Sequence, residues 1–264
     1  LVLATPDNGV ATAIYAACKA TVKVGDGKEI TLHEETNYPF EEAIAFTVST
    51  GEKVAFPFYL RIPSWTQKAE VRVNGKKVSA APVAGKYLCI NREWANGDRV
   101  ELTLPMSLSM RTWQVNKNSV SVDYGPLTLS LKIAEKYVEK DSRETAIGDS
   151  KWQKGADPQK WPTTEIYPDS PWNYSLVLDK KEPLKNFKVI RKSWPTDNYP
   201  FTATSVPLEV KAIGRPVPEW KIDETGLCGV LPEEDAVKGD KEEITLIPMG
   251  AARLRISAFP NTKE

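Results

Sequence analysis

Apolar and polar residues alternate along most of the chain, and this period of two predicts β-strands rather than helices. In "ATAIYAACKATVKV" the residues Ile14, Ala16, Cys18, Ala20, Val22 and Val24 share one parity. A "GDG" turn follows, and "EITLHEE" reads as the hairpin partner. "AIAFTVST" places Ile44, Phe46 and Val48 on one face. "VAFPFYLRI" does the same with Val54, Phe56, Phe58, Leu60 and Ile62, and leaves Arg61 on the other face. In "AEVRVNGKKV", Asn74-Gly75 lies between two candidate strands, and this dipeptide suits the positive backbone angles of a type I′ hairpin. "KYLCINREW" and "DRVELTLPM" are joined by "ANGD", and "SVSVDYGPLTLSL" adds two short strands broken at Gly125-Pro126.

The pattern changes near Ala134. The stretch from "AEKYVEK" to "NYSLVL" is charged, then rich in proline and tryptophan, and only its end reads as a strand. Alternation resumes in "FKVIRKSW", "VPLEVKAIG", "EEITLIPM" and "ARLRISAF". Short strands at regular spacing with polar turns predict an all-β protein of two tandem antiparallel β-sandwich domains. The expected division gives residues 1–133 to the first sandwich, and 134–264 to a Trp/Pro-rich connection with the second. A chain of 264 residues suits two domains of ordinary size.

Thirty-five basic residues balance thirty-five acidic ones, so no overall field favours nucleic acid as a partner. No apolar run approaches the length of a membrane span. The opening "LVLATPDNGV" lacks a methionine and a basic n-region, and such a start is expected of a chain cut from something longer. Cys18, Cys89 and Cys228 are far apart, form no disulfide framework, and read as small buried apolar residues.

Chemistry is sparse. The single histidine, His33, stands in "TLHEET" without the second histidine of a zinc helix, and reads as a strand surface residue. No serine sits in a nucleophile elbow, and "VGDGKE" lacks the ending of a phosphate loop. "HEET" and "PEED" read as solvated turns rather than an acid/base pair. Eight tryptophans say more. Trp152, Trp161 and Trp172 fall in the irregular middle segment, next to Asp157, Glu165, Asp169 and Asn173. Flat aromatic faces stack on sugar rings while carboxylates and amides hold the hydroxyls, so these three are candidate carbohydrate contacts. The competing reading is that they pin a Pro-rich segment onto a sheet. Asn173-Tyr174-Ser175 forms a glycosylation pattern that matters only in a eukaryotic secretory setting.

Several stretches occur together in a familiar order: "EETNYPFEEAIAFTVS", "FPFYLRIPSW", "YLCINREWANGDRVELTLPM", "VDYGPLTLSLKI", "EIYPDSPWNYSLVL", "VPEWKIDETGLCGVLP" and "LIPMGAARLRISAFP". The chain resembles the C-terminal β-sandwich region of bacterial β-L-arabinofuranosidases (glycoside hydrolase family 127 and relatives), in a version similar to Bacteroides-type sequences. The resemblance implies a parent with an N-terminal (α/α)₆ barrel that carries a zinc-bound cysteine nucleophile and glutamates. The family's adjacent Cys-Cys pair lies upstream of the matched region, and no cysteine here has a cysteine neighbour, so no catalytic residue carries over. No cofactor is expected in this chain, zinc being expected only on the barrel. The implied partners are the protein's own catalytic domain and plant-type glycans, and the implied location is periplasmic or secreted.

The expected function is therefore that of a non-catalytic accessory region that braces the barrel and shapes its active-site mouth. The alternative is a carbohydrate-binding module for arabinose-containing glycans. In "LRIPSW", Arg61 is expected to pair with an acid or a carbonyl, while Trp65 caps the core.

Overall fold

The computed structural model describes residues 1–145, 157, 159–233 and 239–264. Its fold is all-β and divides into two compact units, Leu1–Leu108 with Tyr124–Leu127, and Ser109–Asp123 with Thr128–Glu264.

The first unit is a sandwich of two sheets. One has the order β1 (Val2–Ala4), β2 (Val10–Thr12), β6 (Val54–Arg61), β9 (Tyr87–Trp94). The other has the order β3 (Cys18–Val24), β4 (Lys28–Thr36), β5 (Ala43–Thr50), β10 (Arg99–Thr103), β7 (Glu70–Val73), β8 (Lys76–Lys77). Strand β2 runs parallel to β6, and the other pairs of this unit are antiparallel. Alternation decides the core: Val54, Phe56, Phe58, Leu60 and Ile62 are all buried, and they share a cluster with Ile44, Phe46 and Val48 of the facing sheet. Phe46 and Phe58 meet edge to face at 5.3 Å. Trp94 is fully buried, and its indole N–H donates to the Phe56 carbonyl at 3.0 Å. The Asn74-Gly75 turn has φ of 50° and 74°, the two positive angles expected from its sequence.

One strand was expected where the structure has two. "ATAIYAACKATVKV" ends its first strand at Thr12 and resumes at Cys18, because β2 and β3 belong to different sheets and the chain must cross between them. In that crossing Tyr15 is buried and Ile14 is 58% exposed, which reverses the predicted parity. The Tyr15 hydroxyl donates to the Arg61 carbonyl at 2.6 Å and ties the crossing to the end of β6.

The second unit is built on one large sheet in the order β11 (Leu108–Trp113), β12 (Ser119–Tyr124), β13 (Leu127–Leu131), β19 (Glu242–Pro248), β18 (Leu208–Pro216), β16 (Tyr174–Leu178), β20 (Asn261–Lys263). Strand β17 (Lys188–Arg191) also pairs with β18. A separate hairpin joins β14 (Glu135–Lys140) to β15 (Thr163–Pro168), with a single helical turn α1 (Ser142–Thr145) between them. The change of composition at 134 thus falls inside this unit. Strand β13 lies before it, yet pairs Leu129 with Pro248 and Leu131 with Leu246. "ARLRISAF" is not a strand: it runs as irregular chain to an isolated bridge between Val120 and Phe259. Its carbonyls are nonetheless used, Ile256 accepting from Leu131 N–H at 2.9 Å and Ser257 from the Ser121 hydroxyl at 2.6 Å.

Candidate functional site

Trp172 leads to the first candidate site. It follows β15 in "SPWNY" and meets Trp220 edge to face at 5.2 Å. Trp220 is 4% exposed, and its indole N–H donates to the Gly229 carbonyl at 2.9 Å. The neighbouring Asn173 amide donates to the carbonyls of Val217 and Trp220. The "WN" pair therefore pins the segment after β18, as the fold-serving reading expects. The Asn173 amide is thereby occupied and the Ser175 hydroxyl is buried, so the glycosylation pattern sits in the fold rather than on a free surface.

Trp172 is only half-buried, and its remaining surface lines a groove of about 300 Å³ in the second unit. Ile133, Ile166, Leu227 and Ile256 contribute apolar lining, Tyr167 an aromatic edge, and Arg253 and Arg255 two exposed cations. The Arg255 Nε donates to the Ala252 carbonyl at 2.9 Å, which holds that side chain against the wall. A stacking face beside guanidinium donors can hold a polar ring. The arginines were missed because "ARLRISAF" was read only as an alternating strand, whereas it runs as irregular chain.

Trp161 lies elsewhere. It is 70% exposed beside the start of β15, whereas Trp172 follows the other end. Six extended residues span about 20 Å, so the two rings cannot stack on neighbouring sugars. Trp152 lies outside the described residues.

A second polar cluster sits in the first unit. Glu34, read as part of a solvated turn, is a strand residue 1% exposed. Its carboxylate accepts from the Ala16 N–H at 3.0 Å and the Cys18 thiol at 3.7 Å. Burial pushes its pKa up to about 7, against the lowering effect of those two donors. Burial likewise raises the Tyr15 hydroxyl well above its ordinary value. Both hydrogen-bond partners of Glu34 belong to the fold, a backbone N–H and a thiol. His33, next to it, is exposed between Lys19 and Thr47 on the sheet's outer face. Of the "PEED" stretch only Pro232 and Glu233 are described, and Glu233 pairs with Lys117 at 2.6 Å.

The expectation for Arg61 fails. Among the described residues no acid or carbonyl pairs with its guanidinium, and its Nε is buried without a partner. Trp65 does pack against the core. Among the described residues no group of three or more His, Cys, Asp or Glu side chains is placed to hold a metal ion. Among the described residues no helix is long and apolar enough to cross a membrane.

Fold and site together define a tandem β-sandwich protein with an aromatic groove in its second unit. Residues 9–106 match the family model described as Beta-L-arabinofuranosidase, GH127 middle domain. The fold is that of solved GH127 structures. A GH127 beta-L-arabinofuranosidase from Geobacillus stearothermophilus superposes with a TM-score of 0.63 at 21% identity, over 99% of this chain and 35% of its own. A second GH127 beta-arabinofuranosidase gives 0.62 at 23% identity, over 98% and 36%. A further glycoside hydrolase gives 0.60 at 22%, over 97% and 36%. The chain thus spans about a third of the length of these structures. No curated protein matches it.

Proposed function

We propose that this chain serves as the non-catalytic accessory region of a glycoside hydrolase similar to β-L-arabinofuranosidases, bracing a catalytic barrel supplied by the rest of a longer protein. The observation that carries this reading is the match of residues 9–106 to a domain described as the middle of such enzymes. In this reading zinc and the nucleophile belong to the barrel, and the protein is periplasmic or secreted. The test is the size of the native protein in its source cells, probed with an antibody raised against this chain. A band much larger than 29.4 kDa is expected. Turnover of an aryl β-L-arabinofuranoside by the purified chain would overturn the accessory role.

A second reading is favoured by the Trp172 groove: the chain holds arabinose-containing glycans against Trp172, with Arg253 and Arg255 on the hydroxyls. Calorimetric titration with arabino-oligosaccharides tests it. Binding that disappears in Trp172→Ala and survives in Trp161→Ala is expected, and no heat at millimolar sugar would remove this reading.

A further inference from the structure

The outer face of the four-stranded sheet in the first unit is not finished for water. Register aligns Leu3, Ala11, Tyr59 and Cys89 in one row across β1, β2, β6 and β9. They point away from Val2, Leu60 and Leu88, which pack into the core. In the next row Arg61 stands opposite Tyr87. Leu3 and Tyr87 are 54% and 50% exposed, and Cys89, like Cys228 expected from the sequence to be buried, is exposed as well because it stands on the outer parity of β9. The six-stranded sheet of the same unit behaves otherwise, presenting Lys19, His33, Thr47 and Arg99 in one outer row. An antiparallel sheet buried on one face turns polar residues outward on the other. On the four-stranded sheet the rows beyond pair Pro57 with Asn91 and Ala55 with Glu93, so the apolar part of the face is the corner around Leu3, Tyr59 and Tyr87. An exposed apolar patch of this kind marks an interaction surface.

Arg61 supplies an independent observation. Its Nε is buried with no partner, and the groups its charge acts on are the hydroxyls of Tyr15 and Tyr38, neither of them an anion. A buried charged donor without a partner is costly, and a carboxylate is the group whose geometry fits the guanidinium fork.

We propose that this face is a docking surface, and that its occupant lays apolar side chains over Leu3, Tyr59 and Tyr87 while setting an Asp or Glu carboxylate on Arg61. The occupant is the remainder of a longer chain, which rests on the accessory-region reading above. The similar GH127 structure leaves room for it, since this chain covers 35% of that one. Arg61 is then a positioning residue that fixes where the two parts meet.

Cys89 is a built-in reporter, with exposed Cys228 of the second unit as a control. The experiment compares maleimide labelling of both thiols, read by peptide mass spectrometry, in the isolated chain and in the native protein. Cys89 is expected to label roughly tenfold more slowly in a longer native protein. In that protein Arg61→Met should restore much of the labelling, while Arg61→Lys restores less. In the isolated chain Arg61→Met should melt no lower than the wild type, which separates docking from a folding defect. A longer native protein whose Cys89 labels at the isolated rate would overturn this surface and leave the accessory role standing. Protection that ignores Arg61→Met would overturn the carboxylate contact. A native protein no longer than this chain would overturn the accessory reading and this surface with it.

Discussion

Cys18 and Glu34 face each other across β3 and β4, the thiol donating to the carboxylate over 3.7 Å. The pair is a buried acid beside a weak donor, and among the described residues no cation is in hydrogen-bond contact with it. Glu34 is protonated more readily in the folded chain than in the unfolded one, where its pKa is 4.5. The folded state therefore binds the extra proton, and stability falls as pH rises from 4.5 through about 7. Denaturant melts between pH 4.5 and 8 should show the first unit losing on the order of 1–3 kcal/mol. Glu34→Gln should flatten that profile.

Glu209 behaves in the opposite sense. Burial alone would raise its pKa, but Lys132 at 2.7 Å and Lys192 at 2.6 Å hold it below its ordinary value of 4.5. Its contribution is fully present above pH 4.5 and is lost as pH falls through the lowered value. Glu209→Gln leaves two lysines facing each other and should destabilise the second unit by roughly 1–3 kcal/mol at pH 7. Thermal melts at pH 7 and pH 3 check this, the difference between variant and wild type shrinking at the lower pH.

Trp94 combines full burial with a hydrogen bond to Phe56 and ring contacts to Phe56 and Phe58. Trp94→Phe removes the donor and leaves a void, and should cost about 2–4 kcal/mol. Urea unfolding followed by far-UV circular dichroism measures the loss. A change within ±0.5 kcal/mol would mean the site collapses around the smaller ring.

The turn at Asn74-Gly75 does two jobs. Its backbone reverses the chain, and the Asn74 side chain accepts from Arg99 N–H and donates to Asp98 at 2.7 Å. Gly75→Ala strains a residue at φ of 74° and should cost about 1 kcal/mol. Asn74→Ala should cost more, roughly 2 kcal/mol, because it also strips a donor from the buried Asp98. Equal losses in the two variants would show that only the backbone angle matters.

Strands and turns were legible where local rules suffice. Period two in "VAFPFYLRI" assigned five core residues correctly, because each apolar side chain on one parity has the same face to bury. The Asn-Gly turn was legible because few dipeptides tolerate two positive angles. "ATAIYAACKATVKV" misled, since alternation continues on paper through a stretch where the backbone leaves one sheet for another. "ARLRISAF" misled for a related reason: its apolar residues are buried in part, but their backbone partners are side chains and single carbonyls rather than a ladder. The Trp172 groove was half legible. The tryptophan was singled out, while its arginine neighbours come from a segment some eighty residues later, a distance that no local pattern encodes.

Composition and alternation by themselves determined an all-β chain in two parts, neutral overall, with a hairpin turn at Asn74-Gly75. Only the tertiary structure decided where the units divide, which carboxylate is buried, and that Arg61 is left without a partner. Alternation specifies which side of a strand is apolar, because neighbouring residues on one strand are fixed by covalent geometry. It does not specify which strands pair, because the energy of pairing comes from side chains distant in sequence that meet only once the chain has folded.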